Sequence, residues 1–520
     1  MLLNEFLERS ASSYPYKTAL ICHDERLTFI EIDRAANSLG RAFIDQGLQK
    51  RDRVIIYLDN SVASIVSIFG ILKAGGVFVI IDPQVKARKL NYIFEDCQAK
   101  ILITDTAHLA GVSEAVYSLK TLKRIILTDE HMGTEVKPPG GSLETLYYRT
   151  ILKEFPSAHL ASSCIDVDLA SLIYTSGSSG NPKGVMLTHN NMVSAANSII
   201  QYLENTDSDI ILNCLPLAFD YGLYQVLMAF KFGGTIILEK AFVYPQQMIN
   251  LIVREKVTGW PIVPMIAAIL IKLKNLNKQN FSSLRYITST GQALPSRHIE
   301  FLRKAFPSVK IYSMYGLTEC KRVAYLPPNQ LEKRPGSVGK AMPNTEAYIV
   351  GENGEVITEA WRLGELVVRG SNIMKGYWNL PEETAKALRS GPYPDEKVLH
   401  TGDLFQQDEE GYLYFLGRKD DIIKTAGHMV SPREVENVLC EKEDVIEAAV
   451  ISVDDETLGN AVQAFVHIAD TSRSTEEDII KFCSERLENF AVPKKVILCG
   501  ALPRCVTGKI NKRELLTHEL

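Results

Sequence analysis

Apolar positions recur at helical spacing through "FIEIDRAANSLGRAFIDQG", Phe29 to Gly47, and the pattern stops at a glycine, which predicts one amphipathic helix. The run that follows, "RVIIYL", is short and continuously apolar, as a buried strand requires. "VFVIIDP", "AKILITD", "KRIILTD", "TIILE" and "SLRYITS" repeat the strand theme between helical segments. This alternation predicts an α/β chain with mostly parallel sheets. The longest apolar stretch, Val62 to Ile81, is broken by Lys73 and by Gly75 and Gly76, so it reads as a helix followed by a buried strand and not as a membrane span.

Paired prolines and glycines in "HMGTEVKPPGGSLETL" mark a loop or subdomain joint. Beyond about Glu332 the pattern turns to strands and hairpins, with Asn353 and Gly354 at the turn of "EAYIVGENGEVI", then "GELVVRG" and "GYLYFLGR". A small β unit is expected to close the large domain. From "GRKDDIIKTAGHMVSPREVENVL" onward, charged helices alternate with strands such as "EAAVISV" and "NAVQAFVHI". We therefore divide the chain into residues 1–416 and a C-terminal domain, 417–520.

Composition narrows the class. A chain of 520 residues, 46% hydrophobic and 23% charged, buries several cores and divides into roughly two to four domains or subdomains. A net charge of −5 argues against nucleic acid as partner. The N-terminus carries charges where a secretory signal needs an apolar core. Nine cysteines without a CxxC pair favour a reduced, cytoplasmic setting over structural zinc, and ten histidines show no HExxH pattern.

The candidate chemistry begins with "YTSGSSGNPKG", Tyr174 to Gly184. Glycines let backbone N–H groups turn inward and hydroxyls add donors, so such a loop suits phosphate, with Lys183 as its fixed charge. Neither G-x-x-x-x-G-K-[ST] nor G-x-G-x-x-G fits it, and a plain surface loop before a helix near His189 is the competing interpretation. Downstream, "SMYGLTEC" places Tyr315, Gly316, Thr318 and Glu319 at the end of the strand "VKIYSM", where α/β enzymes put ligand sites. Glu319 could hold Mg²⁺ against phosphate oxygens. "LHTGDL" offers Asp403 to ribose hydroxyls, "GRKDD" adds Arg418, and "TGK" presents Lys509. Singly, each of these is better explained by the commoner case of an exposed lysine, a structural Arg–Asp pair or a turn aspartate.

Taken in order, "YTSGSSGNPKG", "YGLTE", "KGYW", "HTGD", "GRKDDIIKTAGHMVSPREVE" and "TGK" resemble the adenylate-forming ligase superfamily over essentially the whole chain. That superfamily holds acyl-CoA synthetases, adenylation enzymes of nonribosomal peptide assembly and firefly-type luciferases. The resemblance implies two mostly parallel α/β sheet subdomains plus a small β unit, then a small mobile α+β C-terminal domain. It implies an acyl-AMP made from ATP and a carboxylate with release of pyrophosphate, then capture of the acyl group by a thiol. By resemblance, Thr175, Ser176, Gly177, Ser178, Ser179, Gly180 and Lys183 serve the phosphates. Gly291, Gln292, Ala293 and Tyr315 frame the adenine, Gly316 belongs to the ATP site, Thr318 and Glu319 serve phosphate and Mg²⁺, and Asp403 and Arg418 hold the ribose. Lys509 bridges carboxylate and α-phosphate, Asp420 is the hinge, and Gly427 lies on the loop brought toward the thiol.

For the acid, "LPLAFDYGLYQVLMAF" is the informative stretch. Phe219 and Asp220 resemble the amino-acid-activating members, where the aspartate binds the substrate ammonium, although Tyr221 and Gly222 depart from their pattern. A carboxylate in an apolar pocket needs a partner, which favours an amine-bearing substrate; Asp220 as a helix N-cap is the alternative. Tyr224, Thr290, Met314 and Val323 would complete a compact pocket. The expectation is a small amino acid, L-proline first, loaded on a separate carrier protein. The alternative is an acyl-CoA synthetase acting on a small or medium acid with free CoA.

Overall fold

The computed structural model describes the chain apart from residues 86, 113–115, 117–118, 130–142, 177–180, 274–275, 277–278, 292–293, 426–427, 456–457, 470–471, 505–509 and 518–520, and the side chains of residues 176, 429, 513, 516 and 517. Most of the joint expected at "HMGTEVKPPGGSLETL" lies outside the described residues.

The amphipathic helix spans Phe29–Asp45, started by Thr28, whose hydroxyl accepts from the Glu31 N–H while Glu31 reaches back in a capping box. Val62–Lys73 is helix and Val77–Ile80 strand, as the interrupted apolar stretch implies. Lys73, fully buried, is neutralised by Glu8 at 2.7 Å and Asp33 at 2.9 Å. Among the described residues no helix is long and apolar enough to cross a membrane.

Among the described residues, two large sheets build the N-terminal part. In the eight-stranded one, Glu144–Tyr147, Arg124–Leu127, Ile101–Thr104, Arg53–Tyr57, Val77–Ile80 and Leu169–Ser176 run parallel, and Pro182–Thr188 and Gly376–Tyr377 close the edge antiparallel. Alternate residues of one strand feed different cores: Val54 and Ile56 face one, Ile55 and Tyr57 the other. The other sheet has a parallel block from Thr18–Cys22 to Lys310–Tyr315.

The small β unit is not a separate sheet. Ala324–Leu326 turns back antiparallel on Lys310–Tyr315, Ser337–Ala341 pairs with it, and the strands out to Val356–Ile357 continue edge to edge into a 15-stranded sheet. Gly339 makes the junction possible. Its φ is +92°, and a Cβ there would lie 1.8 Å from the Tyr325 carbonyl oxygen, so no side chain fits where the strands cross.

After Leu413–Arg418 comes an exposed turn holding Asp420, then Ile423–Thr425. The C-terminal strands Val445–Asp455 and Gly459–Ile468 form a hairpin, with Lys495–Cys499 parallel to the second. Their cores draw only on residues from Ile423 onward. The helix Pro432–Glu441 touches the large domain where the Arg433 guanidinium lies 5.4 Å from the centre of the Phe415 ring.

Candidate active site

The sequence expected Lys183 on a glycine-rich loop. Instead, Leu169–Ser176 and Pro182–Thr188 are a β-hairpin in which Thr175 pairs with Lys183 and Ser176 with Pro182. The tip, with Gly177, Ser178, Ser179 and Gly180, and the Ser176 side chain lie outside the described residues. Backbone pairing thus fixes the root of the lysine. The helix His189–Leu203 follows directly, capped by the Thr188 hydroxyl.

Lys183 Nζ meets Glu383 Oε2 at 2.5 Å and lies 5.1 Å from the centre of the Tyr377 ring. The Tyr377 hydroxyl donates to Glu319 Oε1 at 2.7 Å. Tyr377 is held there because Lys375 N–H donates to the Met186 carbonyl and Trp378 N–H to the Gly184 carbonyl, on the lysine's own strand. The Lys183 ammonium, and Lys386 after it, hold the Glu383 carboxyl at a pKa of about 2. Glu383 is therefore anionic at any working pH and occupies the lysine's charge.

Four residues before Glu319, Tyr315 ends its strand with its ring packed on Phe405 and Phe415 and its hydroxyl donating to Asp403. Asp403 is buried and directly opposite Arg418 across the strands Lys397–Gln407 and Leu413–Arg418, with Arg418 Nε 3.0 Å from Oδ1. Cross-strand register thus creates the Asp403–Arg418 pair that the separate motifs "HTGD" and "GRKDD" only hinted at. Gly291, with φ +92°, turns the chain beyond Tyr286–Ser289, while Gln292 and Ala293 lie outside the described residues. Gly316 and Thr318 sit in the 315–319 segment between the two clusters.

The third cluster changes the view of the acid. Asp220 is the first residue of the helix Asp220–Phe232, whose N-cap is Phe219, so it is not the cap itself. Its Oδ2 lies 3.2 Å from Lys321 Nζ, with both side chains buried. A partner for the carboxylate is thus present in the chain, which removes the need for a partner as the ground for favouring an amine-bearing substrate. Lys321 Nζ also faces the rings of Tyr224 at 4.5 Å and Tyr221 at 5.5 Å. Burial draws the Lys321 ammonium pKa down to about 7, against the pull of Asp220.

Beside it, Arg322 Nη1 donates to Thr290 Oγ1 at 2.6 Å, and Met314 Sδ accepts from the Tyr202 hydroxyl at 3.0 Å. Asp220, Tyr224 and Thr290 therefore gather around Lys321 and Arg322, with Met314 and Val323 buried on the adjoining strand ends. Lys321 has φ +67°, unusual for a residue with a side chain. Asn372 holds that backbone by donating to the carbonyls of Cys320 at 2.7 Å and Arg322 at 3.1 Å.

Sequence reasoning missed Lys321, Arg322 and Glu383, and gave no role to Tyr377 within the motif "KGYW". Two adjacent cations directly before the apolar run "VAYL" were the available signal for Lys321 and Arg322. For Glu383 no signal existed, since its partner is 200 residues away. Lys509 and Gly427 lie outside the described residues. Among the described residues no group of three or more His, Cys, Asp or Glu side chains gathers as a metal cage. The single carboxylate of Glu319, which accepts from the Tyr377 hydroxyl, fits a Mg²⁺ that also takes phosphate and water oxygens, since that ion is commonly bound through one or two carboxylates plus substrate phosphate.

A family model described as "AMP-binding enzyme" matches residues 7–378, and one described as "AMP-binding enzyme C-terminal domain" matches 434–509. The chain is 32% identical over 546 residues to a long-chain-fatty-acid–CoA ligase of Bacillus subtilis (strain 168), covering 99% of this chain and 94% of that one. It is 27% identical over 523 residues to tyrocidine synthase 1 of Brevibacillus parabrevis, covering 100% of this chain and 45% of that protein. The crystal structure of the anthranilate CoA ligase AuaEII in complex with anthranoyl-AMP superposes with a TM-score of 0.89 at 27% identity, over 99% of this chain and 97% of that one. With its full-length match and these clusters in place, the chain belongs to the AMP-binding enzyme family, within the adenylate-forming superfamily, and is an ATP-dependent, AMP-forming acid–thiol ligase.

Proposed function

We propose that this ligase joins a small or medium carboxylic acid to CoA, in preference to loading an amino acid on a carrier protein. The Lys321–Asp220 pair carries this reading. A substrate ammonium approaching Asp220 would have to displace Lys321 or stand beside it as a like charge in a buried place, whereas an acid without an amine leaves the pair intact. Full-length similarity to a CoA ligase supports the same acceptor. The amino-acid reading, with proline first and a separate carrier protein, is second and rests on the match to tyrocidine synthase 1.

In the first half-reaction a carboxylate oxygen attacks the α-phosphorus of ATP. The P–O bond to the β-phosphate breaks, and pyrophosphate leaves with the electron pair. Both reactants are anionic, so catalysis needs oriented donors and positive charge more than a nucleophilic side chain. We assign Thr175, Ser176, Ser178, Ser179, Thr318 and Lys183 to the phosphates, Tyr315, Gly291, Gln292 and Ala293 to the adenine, and Asp403 with Arg418 to the ribose. Lys183 exchanges Glu383 for the phosphates as they arrive. Glu319 would hold Mg²⁺, which when bound lowers the charge on the departing pyrophosphate. Lys509, assigned by resemblance, offsets charge between carboxylate and α-phosphate.

In the second half-reaction the CoA sulfur attacks the acyl carbon and the C–O bond to AMP breaks. AMP leaves with the electron pair, and the thiol proton passes to solvent. We place the domain division near Asp420, so that the C-terminal domain can withdraw Lys509 and bring Gly427 toward the thiol. The test supplies the full chain with ATP, Mg²⁺, a panel of acids, and either CoA or a phosphopantetheinylated carrier protein. Acyl-CoA formed with AMP and pyrophosphate is the expected product. Transfer to the carrier protein alone would overturn the proposal.

A further inference from the structure

Arg322 is 2% exposed, among the largest side chains that the fold buries fully. A guanidinium has five N–H donors and no way to shed its charge, so burial costs several kcal/mol unless an anion answers it. Its partners are neutral. Nη1 donates to Thr290 Oγ1 at 2.6 Å, the Tyr202 phenol lies within its hydrogen-bonding reach, and the Tyr221 ring centre is 5.4 Å from its central carbon. Nε is buried with no hydrogen-bond partner, and among the described residues no carboxylate forms an ion pair with Arg322.

The carboxylate of the adjoining pair is already committed. Asp220 pairs with Lys321, and Lys321 is the residue next to Arg322. The cluster therefore holds two basic side chains against one carboxylate, beside the buried rings of Tyr221 and Tyr224. The chain bears backbone strain to keep this arrangement. Lys321 adopts its left-handed φ under the grip of Asn372 on both flanking carbonyls, and the two cations are held side by side against their repulsion. A fold needing only apolar packing there would use a leucine or methionine, which is as stable or more so.

We infer that Arg322, with Thr290, receives a second carboxylate of the acid substrate, so that the ligase activates dicarboxylic acids. This deepens the proposed function and rests on it. One carboxylate reacts with ATP; the other sits on the guanidinium, where bidentate N–H donation restores charge balance to the pocket. A hydrocarbon tail ending there would leave Arg322 unanswered. A site whose buried donors go unpaired with the wrong substrate discriminates by on the order of 10²-fold or more.

The experiment is ATP–pyrophosphate exchange by the full chain with matched pairs: butyrate and succinate, valerate and glutarate, hexanoate and adipate. The diacid should exceed its monoacid partner by about 10²-fold in kcat/KM for at least one length. Arg322→Met should erase that preference, raising the monoacid relative to the diacid, and Thr290→Val should weaken it. The comparison in the unaltered protein needs no variant, so a misfolded Arg322→Met leaves the test intact. Monoacids that exceed every diacid would overturn this inference and leave the ligase reading standing. Exchange with no acid of either class would overturn both.

Discussion

Lys321 Nζ lies 3.2 Å from Asp220 Oδ2, and both groups are buried. One helix start and one strained turn, about a hundred residues apart in sequence, thus supply both halves of an ion pair.

The two halves are unequal. Lys321→Met leaves a carboxylate buried without a cation and should cost about 3 to 5 kcal/mol in denaturant unfolding. Asp220→Asn should cost clearly less, because Lys321, whose pKa burial has drawn to about 7, can release its proton. The double variant should recover part of the Lys321→Met loss. If Asp220→Asn costs as much as Lys321→Met, the pair is not organised as described.

Glu383 Oε2 pairs with Lys183 Nζ at 2.5 Å. Glu383→Gln should therefore tighten ATP binding, by roughly threefold to tenfold for a partly exposed pair, as measured by calorimetry. Weaker binding would mean that Glu383 positions the lysine for phosphate and does not compete for it.

Acid sensitivity has an identifiable contributor far from the pocket. His189 is fully buried; Nδ1 accepts from the Leu3 N–H at 3.1 Å, and burial lowers its pKa from 6.5 to about 4. Below pH 6.5 the unfolded chain takes up this proton and the folded chain does not, so stability is lost as pH falls from about 6.5 to 4. The full loss is about 3 kcal/mol. His189→Gln should flatten this part of the pH–stability profile. His298, held near the same value by burial, keeps the rest. An unchanged profile would rule out a neutral, buried His189.

The strands were legible because their residues are apolar on both faces: "RVIIYL" and "AKILITD" could sit nowhere but between two cores. Lys73 shows where such reasoning stops, since the apolar run around it gave no sign of Glu8 and Asp33 arriving from other helices. Asp403 and Arg418 were legible as members of two separate motifs, and the fold adds their cross-strand pairing. The surroundings of Asp220 were not legible, for a physical reason. Asp220 looked unpartnered because pairing is a tertiary fact, and its cation lay in "ECKRV", two residues beyond a motif whose glutamate took all the attention.

The most direct measurement is ATP–pyrophosphate exchange with acids paired to their own 2-amino derivatives: propionate with alanine, succinate with aspartate, glutarate with glutamate. With Asp220 already neutralised by Lys321, each acid should support faster exchange than its amino counterpart, and proline should support none. Exchange with an amino acid but not with the matching acid, abolished by Asp220→Asn, would contradict the account.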